Sequence, residues 1–112
     1  MKALFIKAPD GLPEPIEIRN ELKDLQNLVG GYIEVIYPFP DNVALLLNES
    51  GKILGLPINR KLIDRESGII VDVLVGNLVL VGVSGDDFIS LTAEQIEKYS
   101  IVFGQESKNV SF

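Results

Sequence analysis

Residues Gly30 to Leu62 read GGYIEVIYPFPDNVALLLNESGKILGLPINRKL, and the fold turns on how many strands this stretch holds. Tyr32 to Tyr37 and Val43 to Asn48 read as strands around the loop Pro38-Phe39-Pro40-Asp41-Asn42. In VALLLN both alternating sets are apolar, Val43, Leu45 and Leu47 on one side and Ala44 and Leu46 on the other. A strand of that kind belongs in the middle of a sheet covered on both faces. Asn48-Glu49-Ser50-Gly51 has the chemistry of a type I turn, which predicts Lys52-Ile53-Leu54 as a return strand. Gly55 and Pro57 then break regularity before Ile58-Asn59-Arg60.

Working outward, Lys2 to Lys7 and Ile16 to Ile18 read as an opening hairpin around Pro9-Asp10-Gly11, with Pro13 and Pro15 confined to the loop and the strand entry. Asn20 is placed to cap a helix in which Leu22, Leu25, Leu28 and Val29 make one apolar stripe, ended by Gly30-Gly31. Beyond Leu62, Ile69 to Val71 and Leu78 to Val83 are β-branched and apolar, with Gly76-Asn77 between them. Thr92 and Gln95 match a capping box opening a last helix through Ile96, Tyr99 and Phe103, which Gly104 stops. The expectation is a single α+β domain over residues 1–104. Its sheet is mixed but mostly antiparallel, with five to seven strands and two short covering helices. Residues 105–112 read as a flexible tail, with Val110 and Phe112 available to a sheet edge.

Composition removes several function classes. The 112 residues include no Cys and no His, so disulfides, thiolate chemistry, imidazole bases and the common zinc sets are all excluded. A net charge of −6 argues against general affinity for nucleic acid or an anionic membrane. The start of the chain lacks a signal-peptide core, and no apolar run is long enough to span a bilayer, which together predict a cytoplasmic protein. Gly51-Lys52 is not a P-loop, since Leu46 and Ile53 stand where glycine and Ser or Thr belong. Ser84 lacks both the spacing of a nucleophile elbow and a base to activate it. Asp86-Asp87 and the group Asp64, Glu66 and Asp72 lack the spacing of an EF-hand and read as solvated turn residues, so no metal site is assigned. The signature of an RNA-recognition strand is absent as well.

What remains is a small basic island. Lys52, Arg60, Lys61 and Arg65 stand close together in an otherwise acidic chain. Arg60 has the fork for a phosphate or carboxylate, and Asn59 can read an amide or a nucleobase edge. Tyr37 and Phe39 flank Pro38 and suggest a stacking platform for a planar ligand. Asn59, Arg60, Lys61, Tyr37 and Phe39 are therefore the candidate ligand-binding residues. No catalytic residue and no cofactor is assigned. Against this stands the plainer reading, in which Asn59 caps the loop by bonding backbone amides, Arg60 is solvated and the aromatics are core rim or interface anchors.

The chain also resembles the family known as domain of unknown function 3846. The resemblance is carried by Pro9-Asp10-Gly11, by Leu28-Val29-Gly30-Gly31-Tyr32-Ile33-Glu34-Val35 and by Asn48-Glu49-Ser50-Gly51-Lys52 with Gly55-Leu56-Pro57-Ile58-Asn59. Val75-Gly76 and Ser90-Leu91-Thr92 complete it. It implies a short domain typical of bacterial, phage or mobile-element genomes and carries no catalytic residues with it. The function expected is a non-catalytic binding module that sequesters a partner protein or a small anionic ligand such as a nucleotide, with a counter-defence role compatible with that setting. The alternative is a homo-oligomerising interaction domain, such as a homodimer, that uses a sheet edge and has no small-molecule ligand.

Overall fold

The computed structural model describes residues 1–112. Its elements run β1 (Lys2–Ile6), β2 (Glu14–Glu17), α1 (Leu22–Val29), β3 (Ile33–Ile36), β4 (Val43–Asn48) and α2 (Gly51–Leu54). They continue with β5 (Ile58–Ile63), β6 (Ile70–Val75), β7 (Leu78–Ser84), β8 (Asp87–Ile89), α3 (Ala93–Phe103) and β9 (Asn109–Ser111). The class is α+β, as expected, but the strands divide between two sheets. The larger has six strands in the order β2-β1-β7-β4-β3, with β8 paired to β7, and every pairing in it is antiparallel. The smaller is β6-β5-β9, where β9 runs parallel to β5.

The double-sided apolar pattern of VALLLN explains the layering. All six residues of β4 are buried between β3 and β7. Val43, Leu45 and Leu47 point into a core shared with α3 and the smaller sheet, through Tyr99, Phe103, Leu62, Leu74 and Val110. Ala44 and Leu46 point the other way, where Leu25 and Val29 of α1 cover them. The larger sheet is thus a middle layer, with α1 outside one face and α3 with the smaller sheet outside the other.

Glycine decides two junctions. Gly30 takes a left-handed φ of 80° and its N–H bonds the Gln26 carbonyl, closing α1 where the stripe of leucines ends. Gly76, at φ 75°, lets the chain leave the smaller sheet and enter the larger, and its N–H donates to the Pro57 carbonyl at 2.8 Å. A Cβ there would sit 2.9 Å from Leu56 Cδ1. The capping box of α3 forms as expected, with Thr92 and Gln95 bonded reciprocally.

Four expectations change. Lys52-Ile53-Leu54 is no return strand but part of α2, one helical turn closed by Gly55 at φ 68°. With three helices instead of two, the extra one covers no sheet face and holds Ile53 and Leu54 in solvent. Asn20 does not cap α1. Its side-chain amide donates to the Phe88 carbonyl, and Glu21 takes the N-cap position without a side-chain bond. The segment 105–112 is not a loose tail, because Val110 is fully buried and β9 completes the smaller sheet.

Candidate functional site

The five residues selected from the sequence separate in space. Asn59 and Arg60 lie on β5, where a bulge at Asn59 turns both side chains inward, and each is only 1 % exposed. The Arg60 guanidinium is fully bonded inside the protein. Its Nε and Nη2 donate to the Phe103 carbonyl at 3.1 and 2.9 Å, and Nη2 also donates to the Gly11 carbonyl at 2.8 Å. Nη1 donates to Asn59 O and Asn59 Oδ1 at 3.0 and 2.7 Å. Asn59 Nδ2 in turn donates to the carbonyls of Ile6 and Gly76 at 2.9 and 2.8 Å. Burial holds the guanidinium somewhat below its ordinary pKa, and Asp10 offsets part of that.

This arrangement is a clamp, not an anion receptor. An Arg has five N–H donors and all five have protein carbonyls or an amide oxygen as acceptors, so none is left for a phosphate. The charge sits at the C-terminal end of α3, where the carbonyl end of a helix favours a cation. The expectation that Asn59 and Arg60 face a ligand therefore gives way to a structural role, joining β1, β5, the Gly11 turn and α3. Lys61 is exposed on β5 but stands apart from them on the opposite side of the strand.

The aromatic platform does not assemble either. Phe39 is buried, its ring centroid 4.9 Å from that of Tyr99 and 5.9 Å from that of Phe103. Tyr37 is 63 % exposed, so the two residues flanking Pro38 part company between solvent and core. Asp41, in the same loop, accepts a bond from Tyr99 Oη at 2.6 Å and one from Lys98 Nζ. The bonds from Lys98 and Tyr99 hold the Asp41 carboxyl below its ordinary pKa. Burial, followed by the bond to Asp41, pushes the Tyr99 phenol well above its own. The carboxylates considered for a cation are similarly occupied or dispersed. Asp64 Oδ1 accepts from the amides of Glu66 and Ser67, Asp72 pairs with Lys52, and no three acidic side chains converge on one point.

A different surface draws together residues that the sequence reading passed over. Ile53 on α2 is 91 % exposed, beside exposed Leu54. Ile69, Ile70 and Val71 are an exposed apolar run where β6, a free edge of the smaller sheet, begins. Between α2, β6 and β3 opens a cavity of about 150 Å³ lined by Leu47, Val73, Val75 and Ile53 with Glu34 and Glu49. Lys52 Nζ bonds Asp72 Oδ1 across it at 2.7 Å, and this bond, with Glu34 nearby, raises the Lys52 pKa. No residue pattern in the sequence marks this surface, because Ile53 and Leu54 have Leu56 and Ile58 at helical spacing downstream and read as ordinary core candidates.

No helix in the structure is long and apolar enough to cross a membrane. Comparison with curated proteins and with solved structures yields no match to this chain. A family model described as Domain of unknown function (DUF3846) matches residues 1–104, which takes in both sheets except β9. The chain belongs to that family.

Proposed function

We propose that the protein is a non-catalytic binding module that holds a partner protein through the exposed apolar surface of α2 and β6. The observation that carries this reading is the run Ile69-Ile70-Val71, each at least half exposed, leading into β6, a strand with one side unpaired. Scattered exposed apolar residues are ordinary, but three consecutive ones at a sheet edge are a template for another strand. Absence of imidazole and thiol from the sequence supports holding over turnover. Of the two ligand classes expected, the protein partner is favoured, because the guanidinium meant for a small anion has no free donor. In the cytoplasm of a cell carrying a phage or mobile element, the setting implied by the resemblance, such a module would sequester a host protein.

The test is a photoreactive phenylalanine analogue placed at position 70, with the same analogue at exposed Glu97 on α3 as control. Irradiation in the native host is expected to give a discrete adduct with a second protein from position 70 only. Equal adducts from both positions would sink the reading.

A second reading has its own support. The only charge on β6, Asp72, is already paired with Lys52 of the same chain, so two copies of the strand can align without unbalanced like charges. Light scattering across a concentration series separates this from the first reading, since a homodimer grows with concentration and a monomer awaiting a foreign partner does not.

A further inference from the structure

Resting on the reading of a protein-binding module, we infer that the partner presents a segment in which a large apolar side chain lies next to Lys or Arg, seated in the mouth between the two sheets. The apolar half of the match is the cavity floored by Leu47, Val73 and Val75, with Ile53 standing at its rim. Glu34 projects into it from β3, on the larger sheet, and Asp72 from β6, on the smaller. The mouth is therefore walled by the free-edge strands of two different sheets.

The charged half comes from the same residues. Glu34, Glu49 and Asp72 line the mouth at separate points, with Lys52 as its one ammonium. Lys52 is bonded to Asp72, while Glu34 and Glu49 are exposed and form no ion pair within the chain. Two uncommitted carboxylates beside an apolar hollow complement a cation attached to an apolar side chain. Each charge is too solvated to hold a partner alone, and the apolar insertion is too small to choose one. Together they give both affinity and selection. A foreign basic segment suits this mouth better than a second copy, because the chain carries a net charge of −6 and would bring more negative charge to a negative site.

The experiment uses the full chain, labelled with nitrogen-15, and three synthetic heptapeptides: alternating arginine and leucine, alternating glutamate and leucine, and alternating arginine and serine. Titration is expected to shift the amides of Glu34, Ile53 and Val73 with the first peptide only. Glu34→Gln with Glu49→Gln should weaken that binding about tenfold while leaving the thermal midpoint in place. Weakening should also follow added salt. Ile53→Ser, at a side chain 91 % exposed, should weaken it with the fold intact. Equal response to the glutamate peptide, or no loss in the double variant, would overturn the inference. Shifts confined to Ile69–Val71 would leave the protein-binding reading standing and remove only this mouth. Shifts nowhere, together with no adduct from position 70, would remove both.

Discussion

Arg60 reaches Phe103 across 43 residues and donates two bonds to its carbonyl oxygen, so one side chain fixes where α3 ends relative to β5. The clamp closes on Gly11 and on Asn59 with its remaining donors. Removing it should cost stability, not binding. Arg60→Met leaves buried carbonyls of Phe103 and Gly11 without donors, an expected loss of about 3 kcal/mol in urea unfolding. Arg60→Lys should recover less than half, because one ammonium cannot span a five-bond fork. A variant with unchanged stability and weakened ligand affinity would reinstate the anion-site reading.

Asn59 is the second member of the clamp, bonding β1 through Ile6 and the sheet crossover through Gly76. Asn59→Asp replaces a donor amide by a carboxylate aimed at two carbonyls and should destabilise by roughly 2 to 3 kcal/mol. Asn59→Ala combined with Arg60→Met should cost less than the two singles added, since they share bonds. A double-mutant cycle in urea measures the coupling, and strict additivity would contradict the network.

The Asp41 pair sets a pH dependence. Its folded pKa lies below the ordinary 3.8, so the stabilisation is present above that value and is lost as pH falls through the folded pKa. Tyr99 acts at the other end. Its folded pKa lies above 10.0, so the unfolded chain ionises first and stability declines as pH rises past that point. Asp41→Asn should flatten the acid limb of a plot of unfolding midpoint against pH, and Tyr99→Phe the alkaline limb. Unchanged limbs would mean that these bonds do not persist in solution.

Ending the chain after Gly104 should lower the thermal midpoint by several degrees, although the family match also ends there. Truncation uncovers Leu62 and removes Val110, which is wholly buried in the main core. Val110→Ala alone should cost about 2 kcal/mol from lost burial and the cavity left behind. A truncated chain as stable as the full one would show β9 to be an ornament of the fold.

What could be read from residues alone was local or periodic. The two apolar sets of VALLLN named both cores, Gly30 named the end of α1, and Thr92 with Gln95 named the start of α3. The misreadings share one cause: each was settled by contacts between distant segments. Lys52-Ile53-Leu54 is strand-like in composition, yet with no neighbour to pair with it closes as a single turn. Arg60 is expected at the surface, facing a ligand, because charge is normally exposed. Period-two reading back from buried Leu62 would have placed it inward, but its acceptors at Gly11 and Phe103 are not legible from residues 58–62. Phe39 went into the core because Tyr99 and Phe103, about sixty residues away, supply the rings it stacks against.

The strand order β2-β1-β7-β4-β3 bears on how fast the molecule assembles. Four pairings join strands adjacent in sequence, but β1-β7, β4-β7 and β5-β9 join distant ones, as where Leu4 meets Leu80 and Lys61 meets Asn109. Pairings of such long range cost loop-closure entropy before they form, so they slow refolding relative to a chain of purely local contacts. During that interval Ile69 to Val71 wait as an uncovered edge, exposed to aggregation at high concentration or to capture by a chaperone.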